Sequence, residues 1–138
     1  MDRPMSDQHE IVIAPGLAAP VGYSHAVVAH GTRTVFLGGQ VALDPSGAIQ
    51  GDTIVEQFDV AAGNVLTALR AAGGEPEHIV SMLVFVTDMA SYRASLHDLG
   101  PVWQKHFGRR YPAMALFGVD ALLDEAALVE LVATAVIP

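Results

Sequence analysis

The sequence contains no cysteine. That removes disulfides, a thiolate nucleophile and any thiolate metal site at once. Cations are scarce: seven Lys and Arg stand against fifteen Asp and Glu, for a net charge of −8. Nucleic-acid binders neutralise phosphates with clustered cations. The densest basic feature here is Arg109-Arg110, with Lys105 and two His nearby, so nucleic acid is a disfavoured partner. No apolar run approaches the roughly 20 residues that span a bilayer, and no membrane helix is expected. The opening MDRPMSDQHE is polar and lacks the apolar stretch of a signal peptide, so a cytoplasmic protein is expected. The histidines at 9, 25, 30, 78, 97 and 106 show neither HxxxH nor HxH spacing, so no metal site is expected. GxSxG, GxGxxG and Walker A patterns do not occur, and no cofactor is expected.

What the chain has in excess is apolar surface: 51% of its 138 residues are apolar and only 16% are charged. The length fits one domain, 1–138, with residues 1–9 expected to be flexible. EIVIA reads as a short strand. A second strand starts near Ser24, HGTR is a turn, and TVFLGGQVAL is a third strand expected to pair with the second as a hairpin. DPSG, Asp44 to Gly47, has the type I turn pattern. Thr53 to Ala72 reads as a helix: Thr53 and Glu56 form a capping box, and Gly73-Gly74 end it. IVSMLVFVTD reads as a central strand buried on both faces. ASYRASLHDLGPVWQKHF is a second helix, expected to kink or restart at Gly100-Pro101. AMALFGV and ALVELVATAVI are the last strands. The result is an α+β fold, a mixed sheet with two helices on one face. The final strand is apolar on both faces, so the uncovered side calls for a partner, most economically another copy of the chain.

Few residues offer chemistry. Glu130 is the sole ionisable side chain from Ala126 to the end, set in a β-branched strand. Buried there, its carboxyl would have a raised pKa and could act as a general acid or base near neutral pH; a satisfied acid at a subunit rim is the alternative. Tyr23 could supply a phenol to a cleft and His25 could reach the same place, though both also read as ordinary half-buried rings. Gly38, Gly39 and Gln40 could offer backbone amides to an anion, or form a plain β-bulge. Trp103 and Phe107 read as core.

Taken in order, GYSHAVVAHG, VFLGGQVALDPSG, GDTIVEQFDVAAGNVLTALRAAGG, IVSMLVFVTDM, YPAMALFGV and ALVELVATAVIP resemble the RidA (YjgF/YER057c/UK114) family, from about Pro15 to Pro138. The resemblance implies a chorismate-mutase-like fold and a homotrimer with small-molecule clefts between subunits. It implies hydrolysis of reactive enamines or imines, such as 2-aminoacrylate, without metal or organic cofactor. In the family an arginine after the PA of the YPA strand clamps the substrate carboxylate, the acid of the last strand activates water, and a tyrosine and the GQ pair line the pocket. By position, Tyr23, Gly39, Gln40 and Glu130 match. The small hydroxyl residue usual before the GQ pair is Gly38, an asparagine often found after the central strand is Ala90 or Ser91, and the arginine is Met114. Losing a bidentate clamp of charge-assisted bonds, about 1.5–3 kcal/mol each, would weaken carboxylate substrates by two or more orders of magnitude. The expectation is therefore a hydrolase of altered specificity, with a non-catalytic trimeric binding protein as the alternative and an endoribonuclease as the least favoured. Arg109 or Arg110 of a neighbouring subunit could stand in for the missing cation.

Overall fold

The computed structural model describes residues 8–138. Strand β1 (Glu10–Val12) pairs antiparallel with β2 (Ala26–Val28) as a separate two-stranded sheet. The main sheet contains β3 (Arg33–Phe36), β4 (Ile79–Val86), β5 (Ala113–Gly118) and β6 (Val129–Ile137) in the order β3-β6-β4-β5. Its β3/β6 and β6/β4 pairs are antiparallel and its β4/β5 pair is parallel, so the sheet is mixed as expected. The expected hairpin does not form: β2 pairs with β1, and β3 pairs with β6 a hundred residues downstream.

Helix α1 (Ile54–Ala71) starts where its cap predicts. Thr53 Oγ1 accepts the Glu56 N–H at 3.2 Å, while its hydroxyl donates to the Glu56 carboxylate at 3.0 Å. At the other end Gly73, at φ +92°, donates to the Arg70 carbonyl and Gly74 to that of Leu69, a Schellman closure that the left-handed glycine permits. The second helix is two helices, α2 (Met89–Ala94) and α3 (Leu96–Phe107). The break falls at Ser95, not at Gly100-Pro101. Pro101 lies only one turn into α3, where its missing amide forgoes a single bond, to the His97 carbonyl.

All the helices cover one face of the main sheet. In β6, Val129, Leu131, Ala133, Ala135 and Ile137 are buried and the residues between them are only half-covered. Central β4 follows suit: Met82, Val84 and Val86 are buried while Leu83 and Phe85 are not, so it is enclosed on one face rather than both. The core joins these strands to Phe58, Ala61, Val65 and Leu69 of α1 and Leu99, Trp103 and Phe107 of α3. Truncating one such residue, Leu131→Ala for instance, would cost about 2–5 kcal/mol.

Buried polar groups tie the layers together. Gln57, 2% exposed, donates to the Gly51 and Ala126 carbonyls at 3.1 and 3.0 Å and accepts the Leu128 N–H at 2.8 Å. It thus anchors the approach to β6 on the first turn of α1. His9, expected in a flexible segment, is instead 5% exposed. Its Nδ1 accepts the His30 N–H at 3.1 Å and its Nε2 donates to the His78 carbonyl at 3.0 Å. Residues 1–7 of that segment lie outside the described residues. Among the described residues no helix is long and apolar enough to cross a membrane.

Candidate active site

The residues singled out above fall into two groups on opposite faces of the sheet. The first is built around Glu130. Strand β6 pairs Glu130 with Phe85 on the face away from the helices. The strand running into it, β3, loses its ladder after Leu37, whose N–H bonds Ala133, and regains it at Gln40, which exchanges both backbone bonds with Leu131. Gly38 and Gly39 form the break between, a bulge in the sense expected. The Glu130 carboxyl occupies the space this opens: a Cβ on Gly39 would stand 2.9 Å from its Cδ and closer still to Oε1. The carboxylate makes no hydrogen bond or ion pair with any described residue, and it is half-buried rather than enclosed. The Gln40 side chain turns back to the Gly38 carbonyl at 3.3 Å.

The second group is built around Met114. Parallel pairing sets Met114 beside Met82 and Leu116 beside Val84, and both partners are core residues, so Met114 and Leu116 face the helices. On the outer edge of β5, Ser24 pairs with Ala113. Its N–H bonds the Pro112 carbonyl at 3.0 Å and its hydroxyl the Tyr111 carbonyl, which holds Tyr23 next to Met114. Tyr23 meets His25 edge to face at 6.0 Å. His25 has no free ring nitrogen: Nδ1 accepts the Ala14 N–H at 2.9 Å, leaving Nε2 to donate to Ala18 O at 2.9 Å. Its role in this geometry is to fold the Ala14–Ala18 loop against Tyr23, not to offer a base.

Tyr23 and Met114 separate two recesses. One, about 400 Å³, is lined by Leu17, Ala18, Ser24, His25 and Ala113. The other, about 590 Å³, runs under α2 and α3 past Tyr92, Leu99, Trp103 and Tyr111. Nothing in the linear sequence marks this groove as a site, although Leu96, Leu99 and Trp103 at helical spacing form the face of α3 that lines it. Arg109 and Arg110 do not line it; they border a third cavity of about 330 Å³ with His9, His106 and Phe107. Among the described residues no group of three or more His, Asp or Glu side chains could hold a metal ion.

An α+β chain with a mixed four-stranded sheet, helices on one face and an acid placed over a GQ bulge has the Rid-type fold. The similarities agree. The Endoribonuclease L-PSP family matches residues 14–137. The human 2-iminobutanoate/2-iminopropanoate deaminase is 30% identical over 110 residues, covering 79% of this chain and 74% of that protein. Protein DfrA of Myxococcus xanthus is 32% identical over 119 residues, 85% of this chain and 82% of that one. The crystal structure of a Rid-family protein of unknown function from Yersinia pestis, YyfB, superposes with a TM-score of 0.85 at 27% identity, covering 94% of this chain and 99% of that chain. The chain belongs to the Endoribonuclease L-PSP family, the RidA/YjgF proteins.

Proposed function

We propose that this protein hydrolyses a reactive enamine or imine, or a related small metabolite, without a cofactor. It works at clefts between the subunits of a homotrimer of chorismate-mutase-like fold in the cytoplasm. The observation that carries the reading is the Glu130 carboxylate, uncommitted and half-open above the Gly39 backbone, in a chain similar to imine deaminases. Because Glu130 and Met114 lie on opposite faces of one sheet, a site using both must take them from two copies. The half-covered face of β4 and β6 supports such assembly.

In this reading Glu130 takes a proton from water as the water oxygen bonds to the imine carbon and passes it to the imine nitrogen, giving a carbinolamine. Glu130 then relays the hydroxyl proton to that nitrogen as the C–N bond breaks, leaving a carbonyl compound and ammonia. Tyr23 and the Gly38–Gln40 backbone position the substrate. Met114 offers a carboxylate no cation, so 2-aminoacrylate and other amino-acid imines are poor substrates. A ribonuclease reading is disfavoured by the net charge of −8. The same cationless groove also supports a second reading, a trimeric binding protein that has lost turnover; it gives ligand-dependent thermal stabilisation but no ammonia from any imine. Glu130→Gln separates the two. Loss of turnover with the oligomer intact supports hydrolysis, and a fully active variant excludes this role for Glu130.

A further inference from the structure

The groove beneath α2 and α3 holds an uncommon combination of groups. Among the described residues its wall contains no carboxylate, ammonium, guanidinium or imidazole; it is apolar apart from the rings of Tyr23, Tyr92, Tyr111 and Trp103. None of the three phenol hydroxyls bonds to a described residue, so each is free to donate or accept. Trp103 is stacked on Tyr111 at 5.4 Å and packed on Phe107 at 4.4 Å, which holds both the Tyr111 and the Trp103 ring in place along the groove. Tyr92 is half-buried, and burial, with Tyr111 close by, pushes its phenol above the ordinary 10.0, so it stays neutral across the physiological range. At about 590 Å³ the groove is of a size that holds a small organic molecule.

We propose that this groove selects an uncharged, ring-sized ligand bearing a carbonyl, imine or hydroxyl group, and discriminates against carboxylates. A ring packs against the wall formed by Tyr111 and the Trp103 behind it and fills the space between Leu99 and Met114, while the phenols of Tyr23 and Tyr92 read its polar group. A carboxylate there loses water without gaining a cation. The inference rests on the proposed hydrolase only in taking this ligand to be the substrate; binding selectivity stands apart from turnover.

Trp103 is the single tryptophan of the chain, so its fluorescence reports on the groove. The test titrates the native oligomer with benzamide and with benzoate, a matched neutral and anionic pair, correcting with free tryptophan. Benzamide should perturb Trp103 and bind at least about tenfold more tightly than benzoate, because the anion would be left unpaired. Met114→Arg should reverse the order, and Tyr92→Phe should weaken benzamide about fivefold, one hydrogen bond's worth. Equal binding of the two probes by the native protein overturns the inference. So does silence of Trp103 towards both, the result expected if a neighbouring copy fills the groove. Benzamide selectivity without turnover of any imine would remove the hydrolase and leave the groove's selectivity standing. Turnover lost in Glu130→Gln, together with equal binding of the probes, would do the reverse.

Discussion

The carboxyl of Glu130 stands where a side chain on Gly39 would have to be, 2.9 Å from the ideal Cβ position to the Glu130 Cδ. The obstructing atoms are the end of a flexible side chain, so Gly39→Ala moves the acid instead of breaking the fold. Its thermal midpoint should change little, while turnover should fall by on the order of 10²-fold, the cost of a misplaced reacting group. Gly31→Ala is the contrast: its Cβ would stand 2.6 Å from the Ile137 carbonyl oxygen, which is backbone, so this variant should lose stability. Comparing melting curves and initial rates of the two variants checks both statements.

Gln57 holds the approach to β6 through three bonds to backbone. Gln57→Leu keeps the volume but removes the partner of two carbonyls and one N–H at a part-buried junction. At about 1–3 kcal/mol per unsatisfied group, the loss should reach about 3 kcal/mol. Urea unfolding should show a lower midpoint with an unchanged slope.

Acid should destabilise the fold in two steps. Burial, reinforced by the neighbouring His78 and His30 rings and opposed by backbone carbonyl bonds, holds His9 below the ordinary 6.5. The folded state thus binds this proton less readily than the unfolded chain, so the stability is complete above pH 6.5 and is lost as pH falls through the depressed value. Asp59 is lowered from 3.8, first by its hydrogen bond to His106 and then by Lys105. Its contribution is present above 3.8 and is lost at lower pH. Thermal midpoints measured against pH should decline below about 6.5, and His9→Gln should flatten that decline alone.

The helix-free face of the sheet carries Phe85 stacked on Phe117 at 5.5 Å, and Phe36 is 81% exposed. The introduced carboxylate would sit beside Glu130 in this apolar surface, so Phe85→Asp should dissociate the proposed trimer. Light scattering should give three times the 14.5 kDa chain mass for the native protein and a single chain for the variant.

Local chemistry was legible in the sequence and long-range partnership was not. Thr53 with Glu56, Gly73-Gly74, and the Asp44 turn, whose carboxylate accepts the Ser46 and Ala48 N–H groups, form with neighbours a few residues away. The failed hairpin shows the limit: nothing near HGTR says that β3 prefers β6, because that preference rests on burying Val35 and Leu37 against a core assembled from distant segments. Ser95 ended α2 with no glycine or proline to announce it. The candidate site divided in the same way. The Gly39 bulge was readable along its strand, but the separation of Glu130 from Met114 depends on the registers at which β5 and β6 pair with β4, and those are set across the sheet. His25 looked available for chemistry because the backbone groups that occupy its two nitrogens belong to a loop without regular structure.

The proposed hydrolase differs most from what the RidA resemblance implies at Met114, set against the helix layer where that resemblance places an arginine, and the proposal is that this residue turns the site away from carboxylate substrates. The most direct test is the rate at which imines made in situ by an amino-acid oxidase are converted to ammonia, measured for the native protein and for Met114→Arg. The native protein should add little to the spontaneous rate, and the variant should be faster by about tenfold or more, the value of one recovered charge-assisted bond. A native protein that matches or exceeds the variant would contradict the proposal.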